Sequence, residues 1–109
     1  MSERLRTALT FDAEHPDRPD ASAGAAERIL DVLEDAGARA TFFLQSRWAM
    51  ANPDLARRIA DAGHLIGNHS YSARLAVGDY DEGEAVIGHA VGAPSRYFRA
   101  HAFDYGAYF

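Results

Sequence analysis

From Arg4 to Phe11 the chain alternates. Leu5, Thr7, Leu9 and Phe11 fall on one side and Arg4, Arg6, Ala8 and Thr10 on the other, the period of two that marks a strand. Asp12 to Asp20 is then polar, with Pro16 and Pro19, and reads as a loop. A helix follows, with Ser22 as its N-cap; Ala25, Ile29, Val32, Leu33 and Ala36 recur at helical spacing and Gly37 stands at its end. Ala40 to Leu44 is a short continuous apolar run, the pattern of a strand buried on both faces. Asn52-Pro53 reads as an N-cap and first-turn proline of a second helix, whose inward stripe is Leu55, Ile59 and Ala62 and which Gly63 closes. His64 to Asn68 predicts a third strand. Asp81 to Val91 predicts a third helix with Ala85, Val86 and Ala90 inward and Gly92 after it, and Tyr97 to Ala100 a fourth strand.

The order is β-α-β-α-β-α-β, and Asp35-Ala36-Gly37 recurs 26 residues later as Asp61-Ala62-Gly63, each time between a helix and a strand. Alternation of this kind implies an α/β fold of parallel strands joined by helical crossovers. No linker or low-complexity tract divides the chain, so residues 1–109 read as a single domain. A full eight-unit barrel takes about 250 residues; four units make a truncated domain, with an exposed sheet edge that favours self-association.

Composition narrows the partners. The 16 acidic and 11 basic residues leave a net charge of −5, and every basic residue is Arg. Acidic balance with scattered Arg argues against nucleic acid. No apolar run approaches the roughly 20 residues of a membrane span. A strand pattern begins within the first few residues, so no signal peptide is expected and the cytoplasm is the default location. Cysteine is absent, which excludes thiolate metal sites. Of the 52 hydrophobic residues 22 are Ala, and Leu, Ile and Val together number 16, so the core is built from thin side chains.

In parallel α/β folds chemistry gathers at the carboxyl ends of strands. Three polar clusters fall there: Asp12-Ala13-Glu14-His15 after the first strand, Asn68-His69-Ser70 after the third, and Arg99, His101 and Asp104-Tyr105 after the fourth. Carboxylates, imidazole and a guanidinium on one rim suit a hydrolytic metal site. Carboxylate and imidazole hold a divalent ion, a second carboxylate takes a proton from water, and a cation orients the base. Read as residues alone, Asp12 and Glu14 are equally loop acids, His64 and His69 packed or hydrogen-bonded histidines, His89 a solvated helix residue and Trp48 a packing residue.

Thr10-Phe11-Asp12-Ala13-Glu14 resembles the first motif of the polysaccharide deacetylase family, Thr-Phe-Asp-Asp. Arg47-Trp48-Ala49 and Asn52-Pro53-Asp54-Leu55 through Gly63 to Ser72 resemble its second strand-helix-strand segment and second motif, and Tyr97-Phe98-Arg99 with Tyr105-Gly106 its third. The resemblance implies the first half of a distorted (β/α)7 barrel. It also implies metal-dependent removal of N-acetyl groups from amino sugars of a polysaccharide or oligosaccharide. Position by position, it implies Asp12 as base, Arg99 as the group that positions it, Glu14 and His69 as metal ligands, and Tyr105 as a substrate contact. The implied cofactor is a divalent ion, Zn²⁺ by family habit, whose bound water has a pKa near 7.

Departures accompany the match. Ala13 stands where the family's metal-binding Asp is usual, and Ala73 stands where the second histidine of His-Ser-x-x-His belongs. Ala100-His101 replaces a proline pair, and the later motifs that supply the acid histidine are missing. The ion is therefore expected to be weakly held. A catalytically inactive relic of the fold that binds a glycan or a partner, or a hydrolase of another small amide or ureide, is the alternative.

Overall fold

The structure, a computed structural model, describes residues 6–13, 24–69, 77–93, 95 and 97–99. Its elements are β1 (Thr10–Ala13), α1 (Ala25–Ala36), β2 (Thr41–Leu44), α2 (Ser46–Ala51), α3 (Pro53–Asp61), β3 (Leu65–Asn68), α4 (Val77–Val91) and β4 (Tyr97–Phe98). The four strands form one sheet in the order β1-β2-β3-β4, with every pair parallel. The expected parallel α/β alternation is the observed one.

Side chains alternate across the strands. Phe11, Ala13, Phe42, Leu44 and Ile66 belong to a core shared with Leu30 and Leu33 of α1, Trp48 and Ala49 of α2, Ala56 and Ile59 of α3 and Ile87 of α4. The helices thus cover one face of the sheet. On the other face Thr10 and Asp12 of β1, Leu65 of β3 and Tyr97 of β4 are exposed, while Phe43 is buried.

Several boundaries differ from expectation for identifiable reasons. The first strand lies later than Arg4–Phe11, because it must pair with the four residues of β2; the register runs Thr10↔Thr41 to Ala13↔Leu44, which brings Asp12 into the strand. Ser22 is outside the described residues. Helix α1 starts after Gly24 in a left-handed conformation (φ 76°), with no side-chain cap. Its inward residues are Leu30 and Leu33, whereas Val32 is exposed. A short helix, α2, stands between β2 and α3; at six residues it is too brief to show a period in the sequence, and it buries Trp48. Asn52 stands at the N-cap of α3 with Pro53 in the first turn, as expected, but its side chain makes no capping bond. Its amide instead donates to the Trp48 carbonyl at the end of α2 (3.0 Å). In α3 Ala56 is buried where Ala62 was expected, and in α4 Ile87 is buried while Ala85 is exposed. Helices rich in Ala and Gly give a weak stripe, so the few large apolar side chains decide which face turns inward.

His64 lies on the helix-covered side. Its Nδ1 accepts the Ala40 N–H (3.1 Å), and its ring meets Phe42 edge-on at 5.1 Å. Burial, with the Arg39 charge as the smaller cause, holds the imidazole below its ordinary range. The unfolded chain therefore binds a proton at a pH where the folded chain does not. This contribution to stability is complete above about pH 6.5 and is lost as pH falls below it. His64→Gln keeps an acceptor for the Ala40 N–H and is expected to flatten that part of the profile. Urea unfolding between about pH 8 and pH 5 measures it; an unchanged acid slope in the variant would count against the assignment.

Candidate functional site

One row of the sheet sets the site. Asp12, Phe43, Gly67 and Tyr97 stand opposite one another across the four strands. The ladder continues one residue past β3 and β4, because the His69 N–H donates to the Leu44 carbonyl (2.8 Å) and the Arg99 N–H to the Asn68 carbonyl (3.0 Å). His69 and Arg99 therefore follow Gly67 and Tyr97 by two residues and return to the face that carries Asp12.

The three side chains converge there. Arg99 Nη1 donates to Asp12 Oδ1 at 3.0 Å. His69 Nε2 lies 3.9 Å from Asp12 Oδ2, beyond hydrogen-bond range. His69 is 1 % exposed, Asp12 34 %. His69 Nδ1 is 2.6 Å from the Arg99 carbonyl oxygen. A carbonyl only accepts, so Nδ1 carries the hydrogen, and in the neutral form of the ring the Nε2 lone pair faces the carboxylate. Two acceptors then face each other, a pairing that suits a cation, a water or a shared proton between them.

Phe43 supports Arg99. The guanidinium carbon lies 4.2 Å from the Phe43 ring centroid. Gly67 lets that ring lie close to the strand: a Cβ on Gly67 would come within 2.5 Å of Phe43 Cδ1. Phe43 reads in sequence as core, and a glycine inside a short strand was the available sign of a close approach.

The other expected site residues fare differently. Ala13 packs against the helix-side core, away from the face that carries Asp12. Glu14, His15, Ala73, His101 and Tyr105 lie outside the described residues. Among the described residues no group of three His, Asp or Glu side chains could hold a metal ion. His69 Nε2 suits a divalent cation, but one imidazole beside one carboxylate is short of the three protein ligands of a catalytic zinc. The described donors are thus a partial fit.

The family model for polysaccharide deacetylases matches residues 3–106. A peptidoglycan-N-acetylglucosamine deacetylase of Bacillus cereus is 44 % identical over 69 residues, 63 % of this chain and 23 % of that protein. The crystal structure of a peptidoglycan N-acetylglucosamine deacetylase in complex with an N-hydroxybenzamide superposes with a TM-score of 0.75 at 31 % identity, covering 88 % of this chain and 46 % of that one. A CE4-family pseudoenzyme of Bacillus anthracis superposes at 0.72 with 27 % identity, over 88 % and 35 % of the two chains, and a mutant of it is described as having restored enzymatic activity. The chain thus spans less than half the length of each of these proteins.

Gly67→Ala is expected to push Phe43 aside and to lower stability by about 1–3 kcal/mol in denaturant unfolding. Phe43→Leu combined with Gly67→Ala should cost less than the sum of the two single changes, because the smaller side chain vacates the clash. A neutral Gly67→Ala would show that the ring does not lie where described.

Proposed function

Because the chain belongs to the polysaccharide deacetylase family, we propose that residues 1–109 form the amino-terminal part of a catalytic domain that hydrolyses N-acetyl groups from amino sugars of a polysaccharide or oligosaccharide. The observation that carries this reading is the meeting of Asp12, Arg99 and His69 at the carboxyl ends of three parallel strands. A carboxylate with one oxygen held by a guanidinium and the other turned to the site has the geometry of a general base. Asp12 Oδ2 would accept the proton of the attacking water as it adds to the acetyl carbonyl. Arg99, bonded to Oδ1, fixes the carboxylate. His69, through Nε2, and Glu14 would hold a divalent cation, and Tyr105 would contact the sugar. The cation, when bound, supplies a more acidic water and polarises the carbonyl. The sugar amine leaves with a proton, and loss of such an acid costs about 10²–10⁴-fold in rate.

A second reading has its own support. Ala13 and Ala73 remove two donors that the family motifs carry, and a structural neighbour is a pseudoenzyme. In that reading the chain keeps the fold and binds a glycan without turnover. Fold alone does not decide between the two. The open face, with Leu65 and Tyr97 exposed, also offers apolar surface for self-association. Among the described residues no helix is long and apolar enough to cross a membrane.

Acetate release from N-acetylglucosamine oligomers in added zinc separates the readings. Slow release is expected, raised by inserting His between Ser72 and Ala73 and lowered about 10²–10⁴-fold by Asp12→Asn. No release from either form, with oligomer binding retained, would count against turnover by this chain and favour the non-catalytic reading.

A further inference from the structure

Behind the site, on the helix-covered side of the sheet, one carboxylate gathers three donors. Glu84, on α4, accepts the Asn68 side-chain amide on Oε2 (3.0 Å) and the Ser95 main-chain N–H on Oε1 (2.8 Å). The Ser95 hydroxyl reaches both oxygens, at 2.9 and 2.7 Å. Glu84 is half-buried and Asn68 fully buried. Bonds of an ionised carboxylate to neutral donors are stronger than neutral pairs, and their geometry is correspondingly well defined.

The two residues that Glu84 holds flank the site in sequence. Asn68 is the last residue of β3 and immediately precedes His69. Its side chain points to the helices while His69 points to the open face, as consecutive residues of an extended chain must. Ser95 lies two residues before β4, which leads into Arg99. The Asn68 carbonyl also accepts the Arg99 N–H. Glu84 therefore ties the end of β3 to the entry of β4 from behind, and the gap between those two segments is the one that the 2.6 Å bond from His69 Nδ1–H to the Arg99 carbonyl spans.

We propose that Glu84 is a positioning residue: by clamping Asn68 and Ser95 together it keeps the Arg99 carbonyl on His69 Nδ1, and so keeps the Nε2 lone pair turned to Asp12. Its importance for turnover rests on the deacetylase reading above; its effect on the His69 ring does not. Gln at position 84 would keep the shape but turn an amide N–H₂ towards the Asn68 N–H₂ or give up the Ser95 bonds. Asp at position 68 would accept from that amide and restore the pairing with the total charge unchanged.

The test is nitrogen NMR of the His69 ring, assigned by comparison with His69→Gln and recorded at one alkaline pH where the ring is neutral. In the unsubstituted chain Nδ1 should show the protonated-type shift and Nε2 the unprotonated type. Glu84→Gln should move both nitrogens towards the averaged shifts of a mixed tautomer population. Asn68→Asp with Glu84→Gln should return them to the starting values, which a general loss of helix packing would not do. Ser95→Ala removes only the hydroxyl and should give a smaller shift in the same direction, which keeps the test open if Glu84→Gln does not fold. Unchanged ring shifts in a folded Glu84→Gln, or in Ser95→Ala where Glu84→Gln is unfolded, would overturn the proposal. Failure to release acetate with these ring shifts as expected would instead count against the deacetylase reading alone.

Discussion

Parallel register is the constraint on which the site depends. Three side chains from residues 12, 69 and 99 meet because Asp12, Gly67 and Tyr97 occupy one row of the sheet and the ladder runs one residue further on β3 and β4. A one-residue slip in any strand would turn its contribution to the helix-covered side. The apolar pattern guards against this: Phe11, Phe42, Leu44 and Ile66 are needed in the core, and the intervening positions are thereby committed to the open face. The fold and the site are thus specified by the same alternation.

Within that frame the contacts around Arg99 have a clear division. Phe43 supports the face of the guanidinium, Asp12 takes one of its nitrogens, and its own carbonyl orients His69. Arg suits this place better than Lys would, since a planar cation can lie near a ring while one edge meets a carboxylate. What the cluster lacks at position 13 is equally physical. Ala13 has no donor and packs into the core, so any second carboxylate on the Asp12 face has to come from elsewhere.

Much of this was legible in the sequence. The βα alternation, Gly37 after α1, and the motif residues Asp12, His69 and Arg99 all stood out by period or by pattern. The start of β1 did not, because a strand's extent is fixed by its partner, and β2 is only four residues long. The helix faces depart from the sequence pattern at Val32, Ala62 and Ala85, where abundant Ala blurs the stripe and Leu30, Ala56 and Ile87 fill the core. Glu84 and Ser95 carry no motif, and only folding brings an acid on α4 to the ends of two strands. Phe43 announced itself as core and is buried, but under an arginine.

The central claim is that Asp12 and Arg99, 87 residues apart, form one working pair at the strand ends. A double-mutant cycle on unfolding free energy, built from Asp12→Ala, Arg99→Ala and the combined variant, measures that pairing without requiring turnover. Asp12 is about a third exposed, so solvent screening reduces the expected coupling to about 1 kcal/mol, below that of a buried charged hydrogen bond. A favourable coupling of that size is the result the account predicts. Strict additivity of the two single changes would contradict it, because side chains that do not meet cannot be the base and its positioning group.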